Sequence, residues 1–136
     1  MSIDYLTRPR PLTPRDDILP VIIGGDFGVY GIGRCFNEAF GCRCICVGSQ
    51  PTESITRSNF FDVRHVSAHA SDAQLLDVLM SVAGEHPDKK LVLMANHDIF
   101  SAFVARNARA LSRHYALPFP DSQVMERLTD KAEFAR

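Results

Sequence analysis

Leu19-Pro20-Val21-Ile22-Ile23 runs without a charged side chain into Gly24-Gly25-Asp26-Phe27-Gly28. A short apolar run stopped by a glycine turn reads as a strand buried on both faces. A helix is expected next, over 29–40, with Ile32, Cys35, Phe36 and Ala39 on its inner face and Gly41 as its C′ residue. Cys42 to Val47 predicts a second strand closed by Gly48, and Val63 to Val66 a brief third one. The stretch 49–59 contains Pro51 and shows no period. Ser71 or Asp72 caps a helix whose Leu75, Leu76, Leu79 and Val82 recur at helical spacing, with Gly84 and Pro87 as stop signals. Leu91 to Ala95 is the fourth strand. Asn96, His97 and Asp98 then lead into one long helix to about Tyr115, with Phe100, Phe103, Val104, Ala108 and Leu111 as its buried stripe. Leu117 to Pro120 is extended, and a short helical turn is expected over 124–128. Strands alternating with helices predict an α/β fold in three layers: a mainly parallel sheet of about four strands, the first of them central, between helices.

The rest of the composition agrees with one such domain. The chain has 136 residues, 46% hydrophobic and 23% charged, which excludes a disordered, collagenous or coiled-coil protein. Fifteen basic against sixteen acidic residues leave a net charge of -1, so a general nucleic-acid binder is not expected. No apolar run approaches the ~20 residues that a membrane span requires. Residues 1–17 carry Arg8, Arg10 and Arg15 among Pro9, Pro11 and Pro14, without the apolar core of a secretory signal. They read as an irregular tail or arm, and a cytoplasmic location is the default. A helix capped at Thr129 or Asp130 would have about two turns before Arg136, too short to stand alone. The sequence is therefore expected to be a fragment or a piece trimmed at a domain boundary.

Candidate chemistry gathers at two turns. In open α/β sheets, ligands bind beyond the carboxyl ends of the strands, where the strand order reverses. Gly25, Gly28, Gly31 and Gly33 lead into a helix whose free N–H groups suit an anion, although tight turning and close helix packing are the favoured use of these glycines. Their spacing is not the dinucleotide GxGxxG, and Ser49-Gln50 stand where a ribose-binding acid is needed, so a nicotinamide cofactor is not expected. Asp26 either accepts from an ammonium or caps the helix, with capping favoured. Asn96-His97-Asp98 follows the fourth strand. His97 suits a general base near neutral pH, whereas Asp98 fits as an N-cap for a helix beginning at Ile99. Cys42, Cys44 and Cys46 alternate along one strand, with Cys35 nearby. They read as buried thiols, reduced and metal-free, because structural zinc draws on ligand pairs from two elements. His65, His69, His86 and His114 lack ligand spacing and are expected at the surface. No Walker, GxSxG or HExxH motif is present.

Val21-Ile22-Ile23-Gly24-Gly25-Asp26-Phe27-Gly28-Val29-Tyr30-Gly31-Ile32-Gly33-Arg34, the later Leu93-Met94-Ala95-Asn96-His97-Asp98 and the ending Asp130-Lys131-Ala132-Glu133-Phe134 together resemble the amino-terminal region of ATP-grasp carboxylate–amine ligases, the D-aspartate ligase-like branch above all. The resemblance spans about 18–136. After the irregular tail at 1–17, it implies a Rossmann-like pre-ATP-grasp domain at 18–128 and the truncated start of the ATP-grasp module at 129–136. It implies a parent enzyme that activates a carboxylate as an acyl phosphate with ATP and magnesium, both held by downstream subdomains, and then joins it to an amine. The fragment by itself is expected to be inactive. Its implied partners are the small carboxylate and amine substrates and the downstream ATP-grasp domain, with a homodimer left open. Gly25, Asp26, Gly28, Asn96 and Asp98 are the positions the resemblance assigns to the substrate side of the cleft, with Tyr30 and Arg34 as weaker candidates. A stand-alone α/β module binding a nucleotide or small anion without catalysis is the alternative.

Overall fold

Pleat alternation along β1, Ile18–Ile23, sends Leu19, Val21 and Ile23 to one face of a sheet and Ile22 to the other, and both faces are covered. The computed structural model describes residues 12–119 together with Gln123 and Arg127. Within them β2 is Cys44–Gly48, β3 Phe61–His65, β4 Lys90–Ala95 and β5 Tyr115–Ala116. All pair in parallel, in the order β3-β2-β1-β4-β5, so β1 is central as its unbroken burial requires. Pro20 fits inside this central strand because the β2 ladder begins only at Val21 and Ile45.

Among the described residues the helices are α1 Phe27–Phe40, α2 Glu53–Thr56, α3 Asp72–Glu85, α4 Asp98–Arg106 and α5 Ala108–Leu111. Leu75, Leu79 and Val82 of α3, Phe103 and Val104 of α4, and Leu111 of α5 pack with Val21, Ile23, Ile45, Val47 and Leu93. Val29 of α1 and Ile55 of α2 pack on the opposite face with Ile22, Cys44, Cys46 and Phe61. This is the expected three-layer, Rossmann-like α/β domain. Gly41 ends α1 at φ 71°, as predicted, and of the two candidate caps for α3 it is Ser71 that serves, in a capping box with Gln74.

Four local expectations need correction. Cys35 is exposed, because the inner face of α1 runs through Val29 and Gly33 and is flanked by Tyr30, Ile32 and Phe36. The long helix expected up to Tyr115 is broken at Asn107, whose side-chain amide donates to the Phe103 carbonyl at 2.9 Å and competes with the helical backbone pattern. Tyr115 belongs to a fifth strand, and its buried hydroxyl donates to the Leu79 carbonyl at 2.6 Å. The irregular stretch after β2 contains the short α2, and β3 begins at Phe61, earlier than the apolar pattern suggests.

The segment before β1 is tied down: Thr13 and Arg15 N–H groups reach the Ala39 and Phe40 carbonyls, each at 2.8 Å, and Lys90 N–H reaches Asp17 at 2.7 Å. Residues 1–11, most of the turn expected over 124–128, and the Thr129–Arg136 stretch with its Asp130-Lys131 motif lie outside the described residues. Among the described residues, no helix is long and apolar enough to cross a membrane.

Candidate functional site

β1 and β4 are neighbours in register, with Ile23 opposite Ala95, so the turns that follow them leave the sheet side by side. They then diverge, the first into α1 on one face and the second into α4 on the other, which is the reversal point where parallel sheets open a ligand crevice. The crevice measures ≈ 440 Å³. Its walls come from the Gly24–Asp26 turn, the end of β2 at Ser49 and Gln50, the β3–α3 connection around Ser67 and Ser71, and α4.

Asp26 is the junction of the two turns. As the α1 N-cap its Oδ1 accepts the Val29 backbone N–H at 3.0 Å. The Asn96 amide reaches both carboxylate oxygens, at 3.1 and 3.0 Å, and His97 Nε2 lies 2.9 Å from Oδ2. The Val29 N–H, then the Asn96 amide and His97, hold the Asp26 carboxyl below its ordinary range against the opposing effect of partial burial. The carboxylate thus caps α1, the use favoured for it from sequence, and occupies the helix start whose free N–H groups would otherwise suit an external anion.

Two glycines make this approach feasible. Gly24 holds φ at +128°, a conformation open to residues without a Cβ, and its N–H pairs with the Val47 carbonyl at 2.9 Å. A Cβ on Gly28 would lie 2.7 Å from Asn96 Cγ, so the bare helix surface at Gly28 is where the Asn96 side chain rests. Beneath the turn, the buried Cys46 thiol donates to the Gly24 carbonyl at 3.0 Å. Burial pushes that thiol up to about 11 and raises Cys44 and Cys42 as well, so these thiols are protonated packing groups.

The structure therefore brings Gly25, Asp26 and His97 to the crevice and sets Gly28 and Asn96 behind them as supports. Asp98 is not brought in. It is the exposed first residue of α4, His97 stands at the cap position instead, and no side chain makes a cap hydrogen bond there because the imidazole is turned to Asp26. Tyr30 packs against Phe60 and Phe61, and Arg34 pairs with Glu38, so neither reaches the crevice. The wall residues Ile99, Phe103 and Arg106 were missed, although their i, i+4, i+7 spacing marks one helical face. Arg106 is bound to Asp72 through Nε at 3.0 Å and Nη2 at 3.2 Å, which holds Asp72 below the ordinary carboxylate range.

A wider hollow of ≈ 740 Å³ lies at the opposite edge, among Arg15, Phe40, Arg43 and Lys89. Arg15 is paired with Asp17 and Arg43 with Asp62, and parallel sheets place their ligands at the other end.

The donor set among the described crevice residues does not suit ATP and magnesium. The start of α1 is filled by Asp26, Arg106 is spent on Asp72, and no three His, Cys, Asp or Glu side chains among the described residues gather as metal ligands.

The chain is similar to the D-aspartate ligase of Enterococcus faecium (strain Aus0004), with 27% identity over 122 residues that cover 88% of this chain and 29% of the ligase. It is thus distantly related to a ligase, and it spans under a third of that protein's length. No family model and no solved structure matches the chain.

Proposed function

We propose that this chain is the substrate-side, pre-ATP-grasp domain of an ATP-dependent carboxylate–amine ligase. The likeness to D-aspartate ligase over 88% of the chain carries the reading. The parallel sheet with a crevice at its reversal point supports it. In this reading the parent protein forms an amide or peptide bond through an acyl phosphate. Gly25, Asp26 and His97 line the substrate side, with Gly28 and Asn96 positioning them. Such phosphoryl chemistry depends on metal ions and cations arranged around the triphosphate. The described residues offer no such arrangement, so the reading assigns ATP and magnesium to the remainder of the parent and the 136-residue chain is inactive alone.

The test reads the frame beyond Arg136, where a stop codon would overturn the proposal, and compares the chain with the longer product of an open frame, using Mg-ATP, a panel of amino-acid and peptide carboxylates, and hydroxylamine as the trapping amine. Carboxylate-dependent ADP release and hydroxamate by the longer product, with neither from the chain, is the expected result. Turnover or tight Mg-ATP binding by the chain itself would overturn the proposal and favour a stand-alone nucleotide-binding module.

A further inference from the structure

The charges around the crevice are matched in pairs, and the pairs differ in how firmly they are made. Asp72 and Arg106 share two aligned hydrogen bonds across α3 and α4. At the other end, the Asp26 carboxylate accepts the Val29 N–H on Oδ1 and the Asn96 amide on both oxygens, and neither donor carries a charge. Among the described residues its ionisable neighbour is His97, whose side chain is 54% exposed and meets the Phe100 ring edge-on at a centroid distance of 6.2 Å. His97 Nε2 occupies the position on Oδ2 that a cationic head group would take, and the apolar surface of Ile99, Phe100 and Phe103 extends from there.

We propose that His97 and a ligand ammonium compete for the Asp26 carboxylate, so that the crevice takes an organic amine, carried on an apolar body, when the imidazole is neutral and is closed to it when the imidazole is protonated. The imidazolium is a cation held on the same chain, and it satisfies Asp26 without a ligand. The neutral ring is a weaker partner and yields that oxygen to a full positive charge. The other groups around His97 leave this exchange intact. Asp98 on its own element is exposed, Asp72 and Arg106 across the crevice are bound to each other, and the β2 end contributes the uncharged Ser49, Gln50 and Thr52. An inorganic anion has no free cation to meet at the described walls, because Asp26 fills the helix start and Asp72 fills Arg106. The inference deepens the ligase reading and rests on it for identifying the crevice as the substrate side.

The test is an amide NMR titration of the intact 136-residue chain with n-butylammonium, inorganic phosphate and n-butanol at constant ionic strength, at pH 5.5 and 7.5. The expected result is saturable butylammonium shifts at Gly25–Val29 and His97–Phe100 at pH 7.5, weakened several-fold at pH 5.5, with no such response to phosphate. One-proton competition limits the effect to about tenfold per pH unit. Asp26→Asn keeps a competent helix cap, so its spectrum reports folding, and it should lose the response. His97→Gln should bind butylammonium equally at both pH values. Binding that survives Asp26→Asn, a pH effect that survives His97→Gln, a response to butanol equal to that of the amine, or phosphate shifting these residues in its place would each overturn the proposal. Amine binding without ADP release by the longer product would instead retire the ligase reading and leave the competition standing.

Discussion

Two glycines two positions apart on α1 should respond to alanine with opposite signs. A Cβ on Gly31 meets nothing within 4 Å, whereas one on Gly33 would lie 2.6 Å from Cε2 and 3.0 Å from Cε1 of Phe61 and closer still to Cζ. Phe61 is 6% exposed and has Phe60 and Tyr30 rings at centroid distances of 5.2 and 6.4 Å, so it has little room to retreat. Gly31→Ala should therefore return only the helix-propensity gain, about 0.8 kcal/mol of added stability. Gly33→Ala gains the same term but overpacks the α1–β3 contact, which costs about 2–3 kcal/mol where a core cannot relax. The net is a loss of about 1–2 kcal/mol, from the same two magnitudes. In urea unfolding, with a slope of about 2 kcal/mol/M for a domain of this size, the midpoint should rise by about 0.4 M for Gly31→Ala and fall by about 0.5–1 M for Gly33→Ala. Adding Phe61→Leu to Gly33→Ala should recover part of the loss. A Gly33→Ala midpoint equal to or above that of the parent would refute the packing of α1 on β3.

The native protein should expose one thiol, Cys35, to an aromatic disulfide reagent and all four only after unfolding, since Cys42, Cys44 and Cys46 are buried; rapid native labelling of more than one would contradict the burial of the segment from Cys42 through β2. Asp26, Asp72 and Glu85 are all held below their ordinary range, by the Val29 N–H, Arg106 and Arg64 respectively, so in acid the unfolded chain binds more protons than the folded one. Their stabilisation is full above the ordinary carboxylate value of about 4 and is lost as pH falls below it, so thermal midpoints should drop from pH 5 to 3 and do so less steeply in Arg106→Gln; a flat or rising profile would refute this. Tyr115→Phe removes the buried hydroxyl that donates to Leu79 and should lower stability by about 1 kcal/mol in the same urea assay, with no change if β5 is not docked on β4.

Much of the architecture was legible because it is written in local patterns. An apolar run buried on both faces marks β1 as central, Ser71 is one of two adjacent residues that announce the start of α3, and Gly41 takes the left-handed turn that ends α1. These signals concern a few consecutive residues and the period of one element. β5 has two residues and no pattern of its own, and becomes a strand because β4 offers it a ladder at Leu91 and Val92. Asn107 breaks a continuous helical period through a side-chain bond to Phe103 that periodicity does not register.

The candidate site divides along the same line. Sequence alone places Gly25, Asp26 and Asn96 at the carboxyl ends of two strands, and Asp26 at a helix start. That these two strands are neighbours is decided by strand order, and that Ile23 stands level with Ala95 by register. Those two facts bring Asp26 against Asn96 and His97 across 70 residues of chain, leave Asp98 outside, and set Arg106 on Asp72. Hydrophobic period and capping fix which face of each element is buried, because they depend on neighbours in the chain. Which polar side chains meet depends on how separate elements are stacked, and only the packed sheet determines that.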